Sequence, residues 1–129
     1  MLNKKVLSII VISKNNLDEF LRTLNSLFPF YNEKSLIKLF EIIIVDKSDN
    51  NKIKNKYIDL KKSKYKNLVY IKQLNDGIFY GFNIGINQAS GKYLWFLNSG
   101  DIFANLIDYK IFLNNLSKYS NSLIMIVII

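Results

Sequence analysis

Three stretches of this chain are too apolar to tolerate water on either side: Val6–Ile12, Phe40–Val45 and Tyr93–Leu97. Near-continuous runs of this length, rich in Ile, Val and aromatic residues, are the pattern of strands buried on both faces. Such strands require cover above and below, and the intervening segments have helical spacing. Asn16 followed by Glu19 reads as a helix start, and Phe20, Leu24, Leu27 and Phe28 then share a face until Pro29. Ile53, Tyr57 and Leu60 recur through the lysine-rich stretch Lys52–Lys66, Gly77–Ser90 reads as a third helix, and Leu106–Lys118 as a fourth with Leu106, Tyr109, Leu113 and Leu116 inward. Shorter strands are expected at Leu68–Ile71 and Leu123–Ile129. Strand and helix alternating in this way predict an α/β fold, a mostly parallel open sheet with helices on both faces. At 129 residues, half of them hydrophobic, the chain is expected to form one domain spanning 1–129 with a core of its own.

Cysteine and histidine are both absent. Their absence excludes disulfides, thiolate nucleophiles, Ser-His and Cys-His arrangements and zinc sites of the usual kind, and it suits a cytoplasmic location. Carboxylate, amide and hydroxyl chemistry remains, and any metal would be a hard cation held by oxygen. The net charge of +8 is concentrated in Lys52–Lys66. The apolar periodicity within that stretch favours a solvated helix face over a nucleic-acid surface, so no nucleic acid is expected. Attraction of an anionic substrate, or peripheral contact with an anionic membrane, stays open. Neither the opening apolar run nor "SLIMIVII" is long enough to span a bilayer as a helix. The stop at Ile129 inside an apolar β-branched run suggests a chain cut short, with self-association through that last strand.

In an open parallel sheet, ligands bind outside the carboxyl ends of the strands. The residues there are Ser13, Lys14 and Asn15 after the first strand, Asp46, Lys47 and Ser48 after the second, Asn75 and Asp76 after the third, and Asn98 to Asp101 after the fourth. Each set is also what a turn prefers. Converging amides, hydroxyls and two carboxylates would nonetheless suit a ribose and an oxygen-bound cation. In "GIFYGFNIG" the glycines 77, 81 and 85 lie four apart on one helix face. That face permits close packing on the sheet or close approach to a nucleotide.

The ordered motifs "LSIIVISKNN", "EIIIVDKSDN" and "LNDGIFYGFNIGINQASGKYLWFLNSGD" together resemble the inverting family 2 glycosyltransferases of the GT-A fold, over essentially the whole chain. The resemblance implies a nucleotide-diphosphate sugar as ligand, a UDP-sugar first, and a glycan or glycolipid acceptor in polysaccharide or glycolipid assembly. Ser13 and Asn15 match the segment flanking the base, Asp46 the acid that holds base or ribose, and Ser48 the small hydroxyl after it. Asn75, Gly77 and Asn83 belong to a pattern that shapes the donor pocket. "NSGD" matches the region of the metal-binding DxD motif, with Asp101 as the acid for Mg²⁺ or Mn²⁺ and Asn98 as a weaker contact. Asn98 and Gly100 are the other positions that align with that acid. The acceptor-binding half and its general base have no counterpart here, so the resemblance implies a GT-A domain truncated after about five strands, binding a donor with little transfer. A receiver-like module with Asp46 as phosphoacceptor and a non-functional fragment are the alternatives.

Overall fold

The computed structural model describes residues 5–32 and 34–102, together with 111, 115 and a strand at 125–127. The elements follow the order β1 (Leu7–Ser13), α1 (Leu17–Leu27), a 3-10 segment (Phe28–Asn32), α2 (Lys34–Ile37), β2 (Phe40–Asp46), α3 (Lys52–Lys62), β3 (Leu68–Lys72), α4 (Ile78–Gln88), β4 (Tyr93–Asn98) and β5 (Met125–Val127). The five strands form one sheet in the order β3-β2-β1-β4-β5, and every neighbouring pair is parallel. The expected α/β architecture is therefore present. Apart from residues 111 and 115, the helix expected over Leu106–Lys118 lies outside the described residues.

Alternation along the strands divides the core into two layers. Leu7, Ile9 and Val11 of β1, Ile42 and Ile44 of β2, and Tyr93, Trp95 and Leu97 of β4 face α1 and α3, where Phe20, Leu24, Leu27 and Ile53 cover them. Ile10, Ile12, Ile43, Val45 and Phe96 face the other way, toward Phe82 and Ile84 of α4. Helices therefore stand on both faces, as the continuous apolar runs require.

Local chemistry explains the helix limits. The Asn16 side chain accepts from the Glu19 backbone N–H at 3.0 Å and caps α1. The basic helix α3 exposes most of its lysines, but Lys61, and Lys66 just beyond the helix, bond to backbone carbonyls. The Lys61 Nζ donates to the carbonyls of Lys66 and Leu68, and the Lys66 Nζ to those of Lys61 and Lys62. Cations at a helix carboxyl end satisfy carbonyls that have no partner within the helix. The 3-10 segment Phe28–Asn32 and the short helix α2 carry no sequence signal of their own. The 3-10 segment is held by aromatic packing of Phe28 and Tyr31 on Tyr65, and of Phe30 and Tyr31 on Phe40.

At the amino end of the sheet the buried Glu41 carboxylate accepts from the Ser8 hydroxyl at 2.6 Å and from the Ser90 N–H and hydroxyl at 2.7 and 2.8 Å. The Gly91 N–H donates to the Ser8 oxygen at 2.7 Å. This cluster anchors the exit of α4 and fixes where β4 begins.

The α4 glycines serve packing on the sheet. A Cβ at Gly85 would collide with Cγ2 of the fully buried Ile10, with Cδ1 and Cγ1 of the same residue at 3.1 Å. At Gly81 it would stand 2.6 Å from the Gln73 Oε1 and 3.3 Å from Ile12. The obstructing Cγ2 belongs to a β-branched side chain with little rotamer freedom. Gly85→Ala is therefore expected to lower unfolding stability by about 1 to 3 kcal/mol through overpacking, despite alanine's better helix propensity. Urea denaturation checks this, and a gain in stability would contradict the close approach of α4 to the sheet.

Candidate functional site

Parallel register brings the strand ends level. Ser13 pairs with Asp46, Asp46 with Lys72, and Ile12 with Asn98. The ladder continues one residue past the strands: Lys47 N–H donates to the Ser13 carbonyl at 2.9 Å, Gln73 N–H to Asp46 at 2.8 Å, and Ser99 N–H to Ile12 at 2.9 Å. Residues just beyond the sheet are thus carried on rigid backbone.

A cleft of about 370 Å³ opens over these ends, lined by Ile12, Ser13, Lys14, Glu19, Lys47, Gln73, Asp76, Gly77, Ile78, Asn98 and Ser99. Its size falls within the range of small-molecule sites. The buried Gln73 amide donates to the carbonyls of Asn75 and Gly77 at 2.6 and 2.9 Å and so shapes the wall from β3 into α4. Gly77, at φ 118°, makes the turn into the helix in a conformation open chiefly to glycine. A smaller groove of about 340 Å³ lies alongside, lined by Asn15, Asn16, Leu17, Asp18, Ser48, Asn50, Lys52 and Ile53.

The residues nominated from sequence divide among these places. Ser13, Gly77 and Asn98 line the larger cleft. Asn15 and Ser48 line the smaller groove, where the Asn15 N–H donates to the Ser48 hydroxyl oxygen at 2.8 Å. The Asn15 amide also exchanges hydrogen bonds with Asp49, at 3.0 and 2.7 Å, while its backbone holds φ at 58°. Asn75 and Asn83 are exposed and line neither opening.

Asp46 lies beneath the cleft floor, with no exposed surface. Its Oδ1 accepts from the Ser48 N–H at 3.0 Å and from the Ser13 hydroxyl at 3.4 Å, and its Oδ2 from the Tyr70 hydroxyl at 2.6 Å. A carboxylate so enclosed has no surface to offer an incoming phosphoryl group, which removes the receiver-like alternative.

The turn "NSGD" is clasped onto α1. Gly100, at φ 103°, donates its N–H to the Thr23 hydroxyl oxygen at 2.8 Å and to the Glu19 carbonyl at 3.2 Å. The Asp101 N–H donates to the Asn98 carbonyl at 2.9 Å, and the Asp101 Oδ2 accepts from the Asn98 N–H at 2.8 Å. One carboxylate oxygen of Asp101 therefore closes its own turn. Among the described residues no group of three or more His, Cys, Asp or Glu could hold a metal ion. Asp101 lines neither opening, and a lone strand-end carboxylate does not by itself fit a resident ion.

Lys14, Lys47 and Asp76, which the sequence places at the strand ends without a role, line the cleft, and so do Glu19 and Gln73. Strand parity carried one residue further is the signal for the two lysines. Lys14 continues the face of Ile10 and Ile12, and Lys47 that of Ile43 and Val45, which is the α4 face. By the same parity Asp46 continues the opposite face of Ile42 and Ile44. Nothing comparable marks Glu19 or Gln73, whose places depend on tertiary packing.

Burial, the hydrogen bond to Asp46 and the negative charge of Asp46 all push the Tyr70 phenol well above its ordinary 10.0. Tyr70→Phe leaves the buried Asp46 Oδ2 without this donor and is expected to cost about 1 kcal/mol at neutral pH, the low end because Tyr70 is only half-buried. A phenol whose proton is held more tightly in the folded state contributes stability that is complete below the unfolded value and lost as pH rises through the folded one. Unfolding titrations should therefore show the wild-type advantage over Tyr70→Phe constant up to about pH 9 and shrinking above about pH 10.

Residues 8–128 match the family described as Glycosyl transferase family 2. An uncharacterised glycosyltransferase of Rickettsia conorii is 38% identical over 66 residues, a span of 51% of this chain and 11% of that protein. The crystal structure of S. aureus TarS 1-349 superposes with a TM-score of 0.65 at 22% identity, covering 87% of this chain and 31% of that one. Its complex with UDP-GlcNAc gives 0.63 at 21%, covering 87% and 30%. The chain thus spans less than a third of the length of each of these proteins, and the TarS likeness is one of fold.

Proposed function

The chain belongs to glycosyl transferase family 2, and on that premise we propose that it binds a nucleotide-diphosphate sugar, a UDP-sugar first, for transfer to a glycan or glycolipid acceptor. The observation that carries the proposal is the 370 Å³ cleft over the carboxyl ends of β1, β2 and β4, with hydroxyl, amide and charged groups converging in it. The existence of a TarS complex with UDP-GlcNAc on the same fold supports it.

In the transfer, the acceptor oxygen bonds to the anomeric carbon while the bond from that carbon to the diphosphate oxygen breaks, and the leaving diphosphate keeps the electron pair. Ser13 and Asn98 sit where they would position the donor in the cleft. Asn15 and Ser48 would act from the side groove, and Asp46 as a positioning residue that holds the Ser13 hydroxyl and the Ser48 backbone beneath it. Mg²⁺ or Mn²⁺ entering with the donor would be held at Asp101, and it would stabilise the charge that grows on the diphosphate. The acceptor proton must pass to a base, a role to which no group among the described residues is assigned.

Leu74, Ile78 and Phe79 are exposed by 79%, 56% and 82% around the β3–α4 mouth of the cleft. An apolar rim of this kind suits a lipid-linked acceptor or peripheral contact with an anionic membrane. No helix among the described residues is long and apolar enough to cross a membrane. Pairing through the apolar strand β5 would supply self-association.

Titration calorimetry with UDP tests the central reading. Binding should be measurable and should tighten with Mn²⁺. Asp101→Asn should abolish the Mn²⁺ effect while leaving the thermal transition in place, because the amide oxygen can still accept from the Asn98 N–H. UDP binding that is undetectable in both metal and chelator would refute the donor reading. Identical affinity in the two would refute the metal role alone.

A further inference from the structure

The outward side of α4 carries no charge. The helix reads IFYGFNIGINQ, whereas α1, α2 and α3 each contain acids or lysines. Its inward side packs on the sheet through Gly81 and Gly85, with Phe82 and Ile84. Phe79, Asn83 and Ile86 recur on the opposite side at i, i+4 and i+7, with Tyr80 and Asn87 beside them. All five are exposed, Phe79 by 82%, Tyr80 by 43% and Ile86 by 41%. A helix with apolar residues on both sides is ordinarily covered on both. Val69 and Ile71 of the edge strand β3 are half-buried on the same side of the sheet and carry the uncharged surface past the helix.

Two features indicate what covers this face. The first is charge. The chain has a net charge of +8, and the lysine-rich α3 stands on the other side of the sheet from α4. Two copies therefore repel through much of their surface, while contact between their α4 helices keeps the basic helices on the far sides of the pair. The second is self-complementarity. A two-fold interface sets a patch against itself, so each group has to be satisfied by its own kind. Side-chain amides and a phenol both donate and accept. Asn83, Asn87 and Tyr80 can thus bond to their own counterparts, and Phe79 and Ile86 meet theirs by apolar contact. An acidic partner would be drawn to α3 instead, and no group on α4 attracts an anionic lipid.

We propose that the outer face of α4 is a homodimer interface, in which α4 of one copy packs on α4 of a second copy about a two-fold axis. The inference is independent of the donor reading. A helix of 11 residues is about 16 Å long, so the contact is small beside the roughly 800 Å² per partner of a standard interface. The dimer is accordingly weak and forms reversibly with concentration. Pairing covers Phe79 and leaves Leu74 and Ile78 at the mouth of the cleft.

Sedimentation equilibrium of the whole chain from micromolar to millimolar concentration tests the interface. Association should tighten as salt rises, because salt screens the repulsion between two positive copies and leaves an uncharged contact intact. Asn83 is the middle residue of the helix. Asn83→Asp and Asn83→Lys each set like charges against each other near the two-fold axis and should raise the dissociation constant by at least about tenfold. An equimolar mixture of the two variants should restore association, which indiscriminate apolar sticking would not do. Thermal melts establish that both variants are folded, and Phe79→Ser provides a second, uncharged substitution that should also weaken the dimer. A chain that stays monomeric up to millimolar concentration overturns the proposal. Capture of that monomer on phosphatidylglycerol vesicles, lost in Phe79→Ser, would give the face to a bilayer instead. Association that survives both Asn83 substitutions belongs to another surface, strand β5 included, and overturns the proposal as well. Loss in both variants with no recovery in the mixture overturns the two-fold arrangement.

Discussion

A buried carboxylate has to be satisfied by donors in place before any ligand arrives, and Asp46 meets that demand by drawing on three separate segments. The Ser13 hydroxyl comes from the end of β1, the Ser48 N–H from the loop after β2, and the Tyr70 hydroxyl from β3. Leaving a charge of this kind unpaired in the interior would be strongly destabilising. The need to pair it therefore ties together the strand ends on which the cleft is built. Lys72, which follows in β3, donates to the Ser48 carbonyl and closes the same corner from above. The floor is a fixed surface, and the groups above it inherit its geometry.

The all-parallel register extends this order to the remaining walls. Because β1 pairs with β2 on one side and β4 on the other, Lys14, Lys47 and Ser99 emerge at one end of the sheet, Lys47 and Ser99 on backbone still held by ladder hydrogen bonds. The opposite end is closed by Glu41 with Ser8 and Ser90. Two buried carboxylates thus occupy opposite ends of β2: Glu41 holds the helix that covers the sheet, and Asp46 holds the floor of the site.

Much of this was legible in the sequence because the core strands repeat one physical signal. Uninterrupted Ile and Val mean burial on both faces, and β1, β2 and β4 begin and end within one residue of the runs that predict them. The capping pair at Asn16 and Glu19 was legible for the same reason, being a local interaction. The 3-10 segment Phe28–Asn32 was not, because it is held by rings contributed by Phe40 and Tyr65, distant in the chain. For the site, position along the chain is legible, while the direction of each side chain follows only from its place in the alternation. Asp46 and Lys47 are neighbours in the chain, yet alternation sends one beneath the floor and the other into the cleft. The burial of Asp46 explains why an acid at a strand end need not face the ligand.

The contact between Gly85 and Ile10 has a bearing on how this sequence can drift. With no side chain at position 85, the space there between α4 and β1 is taken by Ile10, and the two positions share a single allowance of volume. Neither can change alone in the direction of greater bulk. Across descendants of such a chain, a methyl gained on the helix would have to be matched by one lost from the strand, so that positions 85 and 10 evolve as a linked pair although 75 residues separate them in sequence.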